Sequence, residues 1–275
     1  MIPAAFEYEL AESGEHALQL LDQHGEDAKL LAGGHSLLPL MKLRLATPSM
    51  LIDVGRLNDL SYIREDGGAI AIGALTRHSD IEGSDVLEQH CPIVAHTAGE
   101  IGDPQVRHFG TLGGSLAHGD PASDLPTVML ALDAQMVVRS SSGERTVGAN
   151  EFFTGLFETA LGPTDLLTEI RVPKGTGGWS YQKFHHRAQD WAIVGVAAVQ
   201  NNGSASVALT NMGEVPMRAT GVEEALASGS DAATAANEAA QNTSPPSDPF
   251  GSADYRRDLA KVLTRRALQE AMRRE

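Results

Sequence analysis

A chain of 275 residues with 42% hydrophobic content is long enough to build two or three packed units, which excludes a largely disordered segment. Asp and Glu outnumber Lys and Arg by 36 to 21, and the formal charge of −15 argues against a nucleic-acid phosphate backbone as partner. The single cysteine, Cys91, excludes an intrachain disulfide, a four-thiolate zinc site and an iron–sulfur cluster held by this chain alone, so any such centre must sit on a partner.

The opening stretch, Met1 to Glu9, has neither a basic nor an apolar leader region, and no run approaches the roughly eighteen apolar residues of a membrane span, so a cytoplasmic protein is expected. Residues 13 to 24 read as a helix with Ser13 as N-cap, an apolar face at Ala17, Leu18, Leu20 and Leu21, and Gly25 as its stop. A strand at 29 to 32 and another at 50 to 54 complete a small βαβ-type unit, assigned to residues 1–55. A hairpin over 60 to 73, a helical segment at 85 to 100, an apolar helix from Asp124 to Leu132 and strands at 135 to 139 and 166 to 172 form a second unit, 56–174. The Gly- and Pro-rich stretch 173 to 178 marks the boundary to a third, 175–275. That unit carries strands near 179 to 185, 192 to 200 and 205 to 211, and an Ala-rich helical stretch at 221 to 240. Its last helix is capped by Ser252, with Leu259, Val262, Leu263 and Ala267 as the expected buried stripe. Seven basic against four acidic residues in 254 to 275 make this helix a candidate docking helix, with a solvated basic face as the plainer reading.

Two glycine-doubled turns stand out, Ala32-Gly33-Gly34-His35-Ser36 and Thr111-Leu112-Gly113-Gly114-Ser115, each read as following an apolar strand or strand end. Glycine admits positive φ and lets N–H groups approach a phosphate, and Ser36, Thr111 and Ser115 add hydroxyls. Neither turn is a Walker A, since no Gly-Lys-Ser/Thr follows, and neither matches G-x-G-x-x-G. As a pair they suggest a grip on one diphosphate ligand. The histidines show no metal-ligand spacing, and His185-His186 on a strand would point to opposite faces, so no metal site is expected. No hydrolase triad and no other catalytic side chain stands out. Taken alone, Asp124 reads equally as a helix N-cap, Ile101 as core and Lys183 as a solvent-facing strand lysine.

The runs Leu31 to Arg44, Ile101 to Arg107 and Thr111 to Pro126, with Asn211-Met212-Gly213, Pro216 to Ala219 and Tyr255 to Ala260, resemble the FAD-binding medium subunit of the molybdenum hydroxylase (xanthine dehydrogenase) family, its carbon monoxide dehydrogenase branch most of all. The resemblance implies an α+β chain: a two-part FAD-binding domain of the vanillyl-alcohol-oxidase (PCMH) type, then a smaller α/β C-terminal domain. It places Ala32, Gly33, Gly34, His35, Ser36, Thr111, Gly113, Gly114 and Ser115 around the FAD diphosphate, and Asp124 on sugar or ribityl hydroxyls. It also puts Leu167 beside the adenine, Ile101 against the flavin face, Lys183 at the polar edge of the isoalloxazine ring and Trp191 close to it. The implied partners are a [2Fe-2S] small subunit and a molybdenum-cofactor large subunit, in a dimer of heterotrimers, with electrons passing to an external acceptor. A hydroxylase acting on a purine or another aromatic heterocycle, or a flavin-free assembly subunit, are the alternatives.

Overall fold

The computed structural model describes residues 1–175, 177–201 and 204–274. Thr176, in the stretch expected to separate the second and third units, lies outside the described residues. The first unit holds β1 (Glu7–Leu10), α1 (Gly14–His24), β2 (Ala28–Leu31), α2 (Leu37–Leu43) and β3 (Met50–Asp53), with the strands parallel in the order β1-β3-β2. Ser13 is extended and its Oγ accepts from His16 N at 3.0 Å, while Gly25 ends α1 at φ 55°, as the local sequence requires. The apolar face of α1 closes a core with Ile52 and Val54 and, from the next unit, Leu57, Leu60, Leu75 and Leu166.

The second unit is built on β4 (Ile63–Asp66), β5 (Ala69–Gly73), β6 (Gln135–Ser140), β7 (Gly143–Gly148) and, later, β10 (Leu166–Pro173). These form one antiparallel sheet in the order β4-β5-β10-β6-β7, with the apolar run of β10 at its centre. Between β5 and β6 come α3 (His78–Glu82), α4 (Asp85–His90), α5 (Pro92–Gly99), α6 (Pro104–Phe109), α7 (Leu112–His118) and α8 (Asp124–Ala131). After β7 lie α9 (Ala149–Phe152) and the small hairpin β8 (Phe153–Gly155) and β9 (Glu158–Thr159). The segment expected as one helix over 85 to 100 is two, because Pro92 opens α5 and the preceding Cys91, at φ −155°, is held out of helical geometry. The second glycine turn follows α6 rather than a strand, and its Thr111 makes only an isolated bridge to Arg77.

The third unit is the antiparallel sheet of β11 (Trp179–Phe184), β12 (Val194–Asn201), β13 (Ser204–Thr210) and β14 (Met217–Arg218), covered by α10 (Thr220–Ala227), α11 (Ala232–Ala235), the 3-10 turn Ala236–Ala240 and α12 (Ala253–Ala271). The Ala-rich stretch is thus broken once, at Gly229 (φ 91°) to Asp231 between α10 and α11, and α11 then tightens directly into the 3-10 turn. On α12 the buried stripe is Arg256, Ala260, Leu263, Thr264, Ala267, Leu268 and Ala271; Leu259 and Val262 are only half-buried. The buried stripe thus runs along the smaller side chains and includes the inward-facing Arg256. The adjacent pair His185-His186 lies beyond the end of β11, in the loop to β12, and not on a strand. Val128 and Met129 of α8 share one core with Ala197, Val199 and Ala208 of β12 and β13, so the sheets of the second and third units are packed through α8.

Candidate functional site

Where the three sheets meet, a cavity of about 1000 Å³ opens. Every residue that the resemblance assigns to FAD lines it: Ala32 to Ser36 from the β2–α2 turn, Ile101 from the α5–α6 connection, Thr111, Gly113, Gly114 and Ser115 from the start of α7, Asp124 from α8, Leu167 from β10, Lys183 from β11 and Trp191 from the β11–β12 loop. The fold therefore gathers residues up to 159 positions apart onto one wall system.

The two glycine turns touch. A Cβ on Gly33 would drive into the Phe109 carbonyl and come to 2.9 Å from Gly110 Cα, so only glycine lets the first turn seat against the segment entering α7. The turns offer different groups, however. Among the described residues, the N–H groups of Gly33, Gly34, His35, Ser36 and Leu37 donate to no protein acceptor, and Gly34 sits at φ +74°. Successive free N–H groups around a left-handed glycine make an anion-binding concavity.

The first N–H groups of α7 are all engaged: Leu112 N to Thr76 O at 3.0 Å, Gly113 N to Ala74 O at 2.8 Å, Gly114 N to Thr111 Oγ1 at 3.1 Å and Ser115 N to Thr111 O at 3.0 Å. Gly113 is a packing glycine, since a Cβ there would stand 2.6 Å from Ala74 Cβ and 2.7 Å from Ala74 O. The second turn thus supplies a close-packed wall and the Ser115 hydroxyl, and the first supplies the donors.

Asp124 is the first residue of α8, but its carboxylate does not cap the helix. Oδ2 takes the Lys183 ammonium at 2.9 Å, and Oδ1 accepts from Tyr181 Oη at 2.6 Å. The Lys183 side chain is 4% exposed and its Nζ also donates to Glu100 O at 2.9 Å, so it is not a solvent-facing strand lysine. A further hydroxyl chain, Thr210 Oγ1 to Thr127 Oγ1 at 2.8 Å, backs the pair. Burial pushes the Asp124 carboxyl above the usual carboxylate range, opposed by the Lys183 charge and the Tyr181 hydroxyl, and burial with the adjacent carboxylate holds the Tyr181 phenol un-ionised. The site thus holds a buried Lys183–Asp124 pair, drawn together at 2.9 Å.

Leu167 is buried at the start of a β-bulge, where Thr168 turns its hydroxyl to Val137 O at 3.1 Å, and Ile101 is half-buried at the rim of the core. Trp191 is 58% exposed on its loop. The sequence reading missed His78, Phe157, Leu161, Gly162, Pro163 and Asp165, which also line the cavity. His78 is buried beside Gly110, its Nδ1 has no partner, and burial, with His35, Arg107 and Arg77 nearby, pushes it down to about 4. No local motif marks it, because its neighbours come from α6 and the β2–α2 turn. Among the described residues no group of His, Cys, Asp and Glu could hold a metal, and no helix is long and apolar enough to cross a membrane.

A turn of free N–H groups, a long groove and a buried Lys183–Asp124 pair are the chemistry a dinucleotide ligand needs, and the comparisons with known proteins give the class as an FAD-binding domain. Residues 4–175 match the family "FAD binding domain in molybdopterin dehydrogenase" and 179–271 match "CO dehydrogenase flavoprotein C-terminal domain". The chain belongs to this family of FAD-binding subunits and is an FAD-dependent oxidoreductase subunit of the carbon monoxide dehydrogenase or xanthine dehydrogenase type. It is 41% identical to the carbon monoxide dehydrogenase medium chain of Hydrogenophaga pseudoflava, over 100% of this chain and 99% of that one. It is 39% identical to the 6-hydroxypseudooxynicotine dehydrogenase complex subunit alpha of Paenarthrobacter nicotinovorans, over 100% and 97%. Carbon monoxide dehydrogenase from Hydrogenophaga pseudoflava superposes with a TM-score of 0.96 at 42% identity, over 100% and 99% of the chains. Quinoline 2-oxidoreductase from Pseudomonas putida 86 superposes at 0.93 and 33%, over 99% of each.

Proposed function

We propose that the cavity holds FAD with its diphosphate on the free N–H groups of Gly33 to Leu37, its sugar or ribityl hydroxyls at Asp124 and its ring beside Ile101, Lys183 and Trp191. The observation that carries this reading is the coincidence, in one cavity, of an unpaired N–H turn and a buried Lys183–Asp124 pair. Gly33, Gly113 and Gly114 keep the wall thin, Ala32, His35, Ser36, Thr111 and Ser115 edge it, and Leu167 gives the adenine an apolar seat. When bound, FAD supplies the redox chemistry. The protein orients it, shields it with Ile101 and sets a positive charge at Lys183 where negative charge grows on reduction. The division into 1–55, 56–174 and 175–275 makes this site an interface of all three units.

The chain then acts as the flavin subunit of a molybdenum-containing oxidoreductase. It takes electrons from a [2Fe-2S] small subunit, a molybdenum-cofactor large subunit oxidises the substrate, and an external cytoplasmic acceptor receives the electrons from a dimer of heterotrimers. The lone, buried Cys91 supports placing the iron–sulfur relay on another chain. Carbon monoxide is the favoured substrate of the complex, because relatives named as carbon monoxide dehydrogenase medium chains match at 41% identity in two organisms over the whole chain. The test is to purify the chain with its native partners and add carbon monoxide anaerobically: bleaching of the flavin absorbance supports the reading, and bleaching only with an N-heterocycle or an aldehyde replaces carbon monoxide as the substrate.

A further inference from the structure

The β11–β12 loop, which carries Trp191 to the cavity, has almost no core of its own: residues 186 to 189 and 191 are all exposed. Within it, Asp190 accepts from Arg187 N at 3.1 Å and faces His186 at 3.8 Å, contacts too local to fix the loop against the rest of the molecule. Its position is decided at its foot. Ile193 N closes the neck on Phe184 O at 2.8 Å, and the next carbonyls are gripped from outside. Asn211 Nδ2 donates to Ala192 O at 2.8 Å and Ile193 O at 3.3 Å, while Asn211 N reaches Pro121 O at 2.8 Å, three residues before Asp124.

The second grip comes from α12. Arg256 is 1% exposed, its guanidinium donates to Ile193 O and, at 2.6 Å, to Asp248 Oδ2, and its Nε has no partner. A buried arginine is costly to desolvate, and here its hydrogen bonds are spent on the loop foot and on the turn at Asp248. That turn also carries Phe250, whose ring meets His186 of the loop at 5.8 Å, and the neighbouring Tyr255 meets Phe184 edge-on at 6.4 Å.

We infer that Arg256 is a positioning residue for the cavity: anchored on Asp248, it fixes the foot of the Trp191 loop and thereby sets where Trp191 stands. Its effect on ligand release rests on the FAD reading above, whereas its effect on Trp191 does not.

The chain has two tryptophans, so in a Trp179→Phe background fluorescence reports Trp191 alone. In the full chain without ligand, Arg256→Met should enlarge the fast component of the Trp191 anisotropy decay, and Arg256→Lys should restore part of the wild-type value. In the FAD-loaded chain, Arg256→Met should speed FAD release about tenfold, because a loosened Trp191 loop covers the cavity less well. Leu263→Ala, on the same helix and in the core of the third unit, controls for stability: it should lower Tm but leave the Trp191 decay unchanged. Should Arg256→Met fail to fold, Asp248→Asn and Arg256→Lys carry the same comparison against Leu263→Ala. Equal changes in Trp191 motion for the Arg256 or Asp248 variants and for Leu263→Ala, or no change in the former, would overturn the inference. Loss of Trp191 order in Arg256→Met with no FAD binding even in the wild type would uphold the brace and reject the FAD reading.

Discussion

Lys183 Nζ stands 2.9 Å from Asp124 Oδ2, with the two side chains only 4% and 5% exposed, so the charge proposed to face the flavin is held by a carboxylate from the other sheet's covering helix. The bond joins β11 of the third unit to α8 of the second, and the ligand cavity runs past it. Site geometry and the docking of two units are therefore one interaction.

Removing only the cation should be severe. Lys183→Met leaves a buried carboxylate unpaired and is expected to cost about 3–5 kcal/mol of stability. Lys183→Met combined with Asp124→Asn removes the orphaned charge while keeping an acceptor for Tyr181, and should recover much of that loss. Urea denaturation of both variants checks this; equal destabilisation of the two would show that the charge pair is not what ties the units together.

The two glycine turns should fail differently. Gly33→Ala pushes the first turn away from Phe109 and Gly110 in a half-exposed loop, so FAD affinity should fall by more than about tenfold with a modest drop in Tm. Gly113→Ala strikes the Ala74 backbone inside the core and should cost about 1–3 kcal/mol of stability first, with weaker binding as its consequence. Thermal melts beside FAD titrations separate the two, and the reverse ranking would reassign the donors to the second turn.

His78 should make the fold sensitive to mild acid. Its folded value is pushed down to about 4 from an ordinary value near 6.5, so the unfolded chain binds the proton more readily between those limits. The stabilising contribution of neutral His78 is complete above about pH 6.5 and falls as pH drops toward 4, by up to roughly 3 kcal/mol. Relative to wild type, His78→Gln should flatten the pH dependence of Tm between pH 7 and 4.5; identical slopes would place the acid sensitivity elsewhere.

Local signals were legible in the sequence, and partnerships across long separations were not. Ser13 and Gly25 bound α1 because a cap acts within three residues, and the glycine turns are recognisable as turns for the same reason. The division of labour between them was hidden, because Ala74 O and Thr76 O, which engage the α7 N–H groups, come from a connection about forty residues upstream, a separation that no local periodicity reports. Lys183 read alone as a surface lysine, since Asp124 lies 59 positions away. The observed stripe of α12 escaped detection because an arginine is ordinarily assigned to solvent, and only Asp248 and Ile193 O make its burial favourable.

The most direct test of the proposed grip is the FAD content of the chain, isolated with its co-purifying subunits, for wild type and for Gly33→Ala confirmed as folded by its melt. About one FAD per wild-type chain and a large loss in the variant are expected, because the proposed seat of the diphosphate is the free N–H groups of residues 33 to 37. Full flavin occupancy in a folded Gly33→Ala chain would contradict it.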